Sequence, residues 1–374
     1  MRRSSYPTSG YSLGTRGRRS SRRLLTPARK KNPYIRPIIL LIAILIGTRV
    51  YGMITAKPVM HPVAATKQTG RATAAATHRP PAIRATATAT PAASSTPSPS
   101  ASVTPPAQLP AVNVPVFSTS WLRAHPIAPA PAIKAHAAIV VDLSSGQILY
   151  QQDQTSRYAD ASLTKMMTAM VAADIAPLNT LITVPDGATQ VEPNHMGITT
   201  GEQLTLRDLL EGMLLDSGND AAEAIAMGIV DRATFINLMN QKAAMLHLRQ
   251  THFTNPTGLD DQNHFSSAYD LAVMGATLLQ DYPDLRAMVG TKSVVIEPTS
   301  THKYFNPTNI DRLLWSYPGA IGIKPGYTDA ANYCLAAAAT RNGRTILVVV
   351  LDSTQHFTDA TTLLDFGFAH AATH

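Results

Sequence analysis

Hydrophobic and polar positions divide the 374-residue chain into three stretches. Ile38 to Ile46 (IILLIAILI) is unbroken aliphatic sequence, and apolar character resumes after Arg49 as far as Ala56. Residues 57–131 hold few large apolar side chains, and from about Ile133 the pattern becomes that of a globular domain of about 240 residues, enough for one sizeable core. Within it, Ala137 to Leu143 and Gln147 to Tyr150, separated by Ser144-Ser145-Gly146, predict an opening β-hairpin. Helical spacing predicts helices over 163–173, 206–215, 221–229, 235–246 and 268–279. Apolar runs over 333–340 and 345–351 flank Arg341-Asn342-Gly343-Arg344, whose Asn-Gly pair predicts a tight hairpin, and an amphipathic helix starts near Thr358. Strands, then helices, then strands predict an α/β (α+β) fold, its antiparallel sheet built from both ends of the domain and packed against a helical cluster.

Charge sharpens these boundaries. The first acidic residue is Asp142; residues 1–141 carry 19 Lys+Arg and no Asp or Glu, and residues 142–374 carry 13 Lys+Arg and 24 Asp+Glu, so the net +8 is +19 combined with −11. A uniformly basic nucleic-acid binder is excluded. A single cysteine, Cys334, excludes an internal disulfide framework and a Cys-rich zinc site, and its apolar strand makes it a packed small hydrophobe.

Eleven of the basic residues fall in 1–37, directly before the aliphatic run. From Ile38 to Ala56 there are 19 residues. That length spans about 28 Å as a helix, close to a hydrocarbon core of about 30 Å. Arg49 lies near the exit end, where its side chain can snorkel to headgroups. The reading is a cytoplasmic basic leader (1–37), a signal anchor (38–56) and an exported remainder on the extracytoplasmic side of the membrane. A cleaved signal peptide competes, with Ile54-Thr55-Ala56 as a poor cleavage site. Residues 57–131, with 14 of the 27 prolines, read as a disordered Ala/Pro/Thr/Ser-rich tether ahead of a domain over 132–374.

Three short elements carry candidate chemistry. Ser162-Leu163-Thr164-Lys165 opens a predicted helix, with Asp160 as a plausible cap, and i and i+3 share a helical face. A lysine amine can take the serine proton only if its pKa falls from about 10.4 toward 7 to 8, which burial and a second cation can supply. Alone the motif is weak, since Ser300-Thr301-His302-Lys303 matches it in a polar stretch. Ser217-Gly218-Asn219, taken alone, reads as a glycine helix stop followed by an Asn cap. Lys324-Pro325-Gly326-Tyr327-Thr328 offers charge for a carboxylate and room for a peptide backbone at a sheet edge, or is merely a turn.

In this order, separated by 55 and 107 residues, the three follow the S-x-x-K, S-x-N and K-T-G signature, the third with Pro325 at its middle position. The chain resembles the serine D-alanyl-D-alanine carboxypeptidases, the low-molecular-mass penicillin-binding proteins of peptidase family S11, from about Ala137 to Phe368. The blocks LLEGMLLDSGNDAA (209–222), TNPTGLDDQNHFSSAYD (254–270), GIKPGYTDAANYCL (322–335) and LLDFGF (363–368) carry it. The resemblance implies Ser162 as nucleophile, Lys165 as general base and Ser217 as proton relay to the leaving amine. It implies Asn219 holding Lys165 and the substrate amide, Lys324 binding a carboxylate while keeping Lys165 neutral, and an oxyanion hole from the N–H groups of Ser162 and Tyr327 beside Gly326. The implied partners are peptidoglycan stem peptides ending in D-Ala-D-Ala, β-lactams as inhibitors and the membrane through the anchor, with no cofactor and no nucleic acid.

Two departures bear on activity. Pro325 replaces the family's threonine, removing a hydroxyl and an N–H, which an edge strand tolerates. The lost charge-assisted hydrogen bond is worth about 1.5 to 3 kcal/mol, ten- to hundredfold in rate. His356 stands where many members have an arginine, and a neutral imidazole anchors a carboxylate less well. A wall- or penicillin-binding homologue with weak turnover is therefore the alternative, with a β-lactamase third, although no E-x-x-L-N element follows Ser162 at a suitable distance. His247, His252 and His264 lack H-E-x-x-H spacing, which argues against a zinc peptidase.

Overall fold

Six consecutive buried residues, Ala137–Asp142, form β1, and their burial on both faces follows from its place inside a sheet covered on two sides. The structure, a computed structural model, describes residues 108–126 and 129–371. The expected leader, the anchor and residues 57–107 of the expected tether lie outside the described residues. No helix among the described residues is long and apolar enough to cross a membrane.

The sheet is five-stranded and antiparallel, in the order β2 (Gln147–Gln152), β1, β7 (Arg344–Ser353), β6 (Asn332–Arg341), β5 (Ala320–Thr328). Ala137 pairs with Leu351, so the two ends of the domain meet at its centre, as the order of elements predicts. Asn342 and Gly343 take φ of 50° and 77°, the left-handed pair that a two-residue hairpin needs between Arg341 and Arg344.

Alternation along the strands sorts side chains into two cores. Ile139, Val141, Leu347 and Val349 face one core, shared with α2 (Lys165–Ile175), α3 (Leu206–Leu215), α4 (Asn219–Ile229), α5 (Arg232–Met245), α6 (Ala268–Asp281) and α7 (Pro283–Gly290). Ala138, Val140, Val348 and Val350 face a second, covered by α9 (His356–His370) through Leu363 and Leu364. Helices therefore pack on both faces, where the sequence pattern places one cluster. Burying each of those leucines stabilises the domain by about 1.5 to 3 kcal/mol, and this fixes the first residue of α9, His356, beside the cleft.

The five expected helices are present with ends shifted by a few residues, and α3 starts on a capping box in which Thr205 Oγ1 accepts from Asp208 N. A two-stranded ribbon, β3 (Leu181–Thr183) with β4 (Gln203–Thr205), the helix α7 and the short α8 (Leu313–Ser316) were outside the expectations. The tether reading is corrected at its C-terminal end. Residues 108–126 pack on the domain: Ser118 bridges Gln147 beside β2, Phe117 meets Tyr269 edge-on at 5.8 Å, and Trp121, in α1 (Ser120–Ala124), joins the second core. Val112, Phe117, Trp121 and Leu122 supply the apolar surface that an Ala/Pro/Thr/Ser-rich segment lacks.

Candidate active site

The turn that carries Ser162, the expected nucleophile, is a single 3₁₀ turn, Ala161–Thr164, leading directly into α2. It places Ser162 at the mouth of a cleft of about 560 Å³. Asp160 stands at the cap position of this turn, as expected, but its side chain makes no capping hydrogen bond. Its buried carboxylate accepts from Thr164 Oγ1 at 2.9 Å and faces Nε2 of buried His264 at 3.4 Å. His264 Nδ1 accepts from Thr254 N, so its proton sits on Nε2 and the network ties the 254–264 loop to the nucleophile turn. Glycine makes that approach possible: a Cβ on Gly258 (φ +85°) would lie 1.7 Å from the Ala161 carbonyl oxygen.

Lys165 is fully buried, and three oxygens surround its Nζ: Asn219 Oδ1 at 2.6 Å, the Thr257 carbonyl at 2.7 Å and Ser162 Oγ at 2.9 Å. Burial first, then the charge of Lys324, hold its pKa well below the usual lysine value. The first two oxygens can only accept, so once the amine gives up a proton they hold both of its remaining hydrogens and its lone pair turns to the Ser162 hydroxyl. Ser217 Oγ donates to Ser162 Oγ at 2.9 Å, completing a short chain of hydroxyls and amine.

Ser217 reaches that position through a left-handed backbone, φ 62°. The glycine-stop reading of Ser217-Gly218-Asn219 therefore fails: serine, not Gly218, takes the turn conformation, and Asn219 is the first helical residue of α4. Asn219 Nδ2 donates to the carbonyls of Glu192 (2.7 Å) and Pro193 (3.1 Å). Its amide hydrogens are thus engaged by the 192–193 loop, and a contact to a substrate amide requires exchanging one of them.

Across the cleft runs β5, an edge strand, with its motif in regular pairing from Lys324↔Ala336 to Tyr327↔Tyr333. Pro325 sits at that edge as expected for a residue without an N–H. Gly326 passes so close to the nucleophile turn that a Cβ would stand 2.9 Å from Ser162 N. Lys324 is fully buried and donates to the Pro325 carbonyl at 3.2 Å. Burial lowers its pKa to about 7 against the opposing pull of Asp311 and Asp216. Buried Asp311 is pushed up to about 6, and its Oδ2 has no hydrogen-bond partner.

The outer wall is aromatic. Exposed Tyr327 packs on Tyr333 (4.7 Å), Tyr333 stacks on His356 (4.8 Å, 6°), and His356 lies 4.1 Å from Phe357. Burial, then the nearby Arg312 charge, lower the His356 pKa to about 4, so its imidazole is neutral at neutral pH.

The structure thus gathers Ser162, Lys165, Ser217, Asn219, Lys324, Gly326, Tyr327 and His356 about one cleft. The second S-x-x-K, Ser300 to Lys303, is remote in chemistry: the half-exposed Lys303 binds Thr199 Oγ1 at 2.8 Å and Glu202. Cys334 is buried in β6, with its thiol pushed up to about 12. Sequence reasoning missed the Thr257, Glu192 and Pro193 carbonyls, the Asp160–His264 pair and Arg312. Carbonyls have no side-chain signature, and only the motif-like density of residues 254–270 pointed to that loop.

This mixed α/β architecture, a helix-flanked antiparallel sheet with a buried lysine beside a serine, is a penicillin-binding-like fold. A family model described as D-alanyl-D-alanine carboxypeptidase, peptidase S11, matches residues 124–355, and the chain belongs to that family. It is 36% identical over 252 residues to D-alanyl-D-alanine carboxypeptidase DacF of Bacillus subtilis, covering 65% of this chain and 64% of the relative. To DacB2 of Mycobacterium tuberculosis it is 36% identical over 249 residues, 64% of this chain and 84% of the relative. The crystal structure of the Streptomyces K15 DD-transpeptidase superposes with a TM-score of 0.61 at 31% identity, over 65% of this chain and all of the other. The match thus spans slightly less than two thirds of the length of the Bacillus relative.

Proposed function

We propose that the protein is a penicillin-binding serine carboxypeptidase that removes the terminal D-alanine from peptidoglycan stem peptides. The observation that carries the reading is the buried Lys165 Nζ, 2.9 Å from Ser162 Oγ with its hydrogens committed elsewhere. In acylation the Ser162 proton passes to Lys165 Nζ as Oγ attacks the carbonyl between the two D-alanines. The N–H groups of Ser162 and Tyr327 receive the oxyanion, each worth about 3 kcal/mol in such a hole. As the C–N bond breaks, Ser217 relays a proton to the leaving amine. Water then attacks the ester with Lys165 again taking the proton, releasing the shortened peptide.

Lys324 has two roles in this scheme: its charge keeps Lys165 neutral, and it lies under the strand along which the substrate's C-terminus runs. We assign residues 1–37 to a cytoplasmic leader, 38–56 to an uncleaved anchor and 57–107 to a tether that holds the domain outside the membrane. The full chain incubated with a D-Ala-D-Ala peptide should release D-alanine, and Ser162→Ala should not. Well-folded protein that releases none overturns the carboxypeptidase reading. Rapid hydrolysis of a β-lactam, in place of a long-lived adduct on Ser162, points to a β-lactamase instead. An intact leader on the protein recovered from membranes supports the anchor.

A further inference from the structure

Of the residues that line the cleft, none is an Asp or Glu, and Arg312 is the one Lys or Arg. This is notable in a stretch, 142–374, whose net charge is −11. Lys324, the other cation expected to meet a carboxylate, is fully buried and directed at the Pro325 carbonyl. Pro325 has no hydroxyl to offer, and His356 is sandwiched between Tyr333 and Phe357 with a neutral ring.

Arg312 sits where it can serve instead. It is exposed, its carbonyl caps α8 by accepting from Trp315 N at 3.1 Å, and its guanidinium lies 5.7 Å from the centre of the Phe357 ring. Among the described residues no carboxylate pairs with it, so the aromatic ring supports the cation while the N–H fork stays unspent. A guanidinium keeps its charge at any working pH and matches a carboxylate with two parallel hydrogen bonds.

We propose that Arg312, reaching the cleft from the start of α8 and braced on Phe357, binds the C-terminal carboxylate of the peptide substrate, the task that Pro325 and His356 cannot perform. This rests on the carboxypeptidase reading for the identity of the ligand. It assigns substrate selection to a different element from the one the sequence motifs suggest. The specificity that follows is for peptides with a free terminal carboxylate.

The test measures binding, so that it does not depend on turnover. In the full chain carrying Ser162→Ala, a D-Ala-D-Ala peptide is titrated in its free-acid and C-terminal carboxamide forms. The free acid should bind at least tenfold more tightly. Adding Arg312→Met should erase that preference while carboxamide binding changes less than about threefold, and Arg312→Lys should restore part of it. An undiminished preference, an equal loss for both peptides, or binding of neither form overturns the proposal. Failure of the carboxypeptidase reading is seen separately, as absence of D-alanine release by the chain with Ser162 intact.

Discussion

The two sides of the cleft are built on opposite principles. On the inner side, Ser162, Lys165, Ser217 and Asn219 are locked by hydrogen bonds of 2.6 to 2.9 Å, and Lys165 is wholly buried. On the outer side Tyr327, Tyr333, His356 and Phe357 hold one another by ring contacts, and Arg312 is exposed above them. The inner side has no tolerance, because each polar group that loses its partner is left unsatisfied in a dry site. The outer side can change residues and keep its shape. That is why the two departures from the family pattern, Pro325 and His356, both lie on it.

The largest effects should come from the inner side. Lys165→Met should reduce β-lactam acylation of Ser162 by about a thousandfold or more, read by the rate of labelled adduct formation; a loss under tenfold would mean another base serves. Gly326→Ala should cost about a hundredfold in the same assay, since its methyl group must displace the strand or the nucleophile turn. If the rate is unchanged, the close approach of β5 has no catalytic weight.

Lys324→Met tests the coupling between the sides. In the proposed scheme acylation needs neutral Lys165, so the rate should fall as pH drops through its depressed pKa. Removing the Lys324 charge lets that pKa rise and should move the acid limb to higher pH. Wild-type acylation should also decline above about pH 7, where Lys324 loses its proton. A limb that stays in place in the variant would separate the two lysines.

On the outer side the changes should be smaller. Pro325→Thr should raise D-alanine release by about tenfold by restoring a hydroxyl donor, with little change in the melting temperature. His356→Phe should alter release by less than about threefold, since the ring it replaces is neutral and stacked. A tenfold loss would show that the imidazole contacts substrate.

Most of the sheet and the principal helices were legible in the sequence because their patterns are local: the unbroken apolar runs of β6 and β7, the Asn-Gly turn between them, and the helical spacing of α2 to α6. The inner side was legible through its side chains, which are few and chemically distinctive. What escaped was set by tertiary approach. Asp160 has a cap's identity, but it is drawn away by Thr164 and His264, the latter about a hundred residues along the chain. Ser217 adopts a conformation usually left to glycine. Arg312 becomes notable only when the fold shows which other residues share its cleft. Residues 108–126 were hidden by composition, their few large apolar side chains diluted among alanines and prolines.

The pairing of β1 with β7 has a consequence for how the molecule comes into being. A chain made from its N-terminus presents Ser162, Lys165 and Ser217 well before β7, the strand that pairs Leu351 with Ala137, about two hundred residues after β1. Until then β1 and β6 have no partner between them, and long-range strand pairing is slow to form. The sheet on which the core around α2 packs is therefore incomplete in any nascent fragment that ends before β7. Topology thus sets an order of assembly in which Ser162, Lys165 and Asn219 are made before the sheet that their core packs on can close.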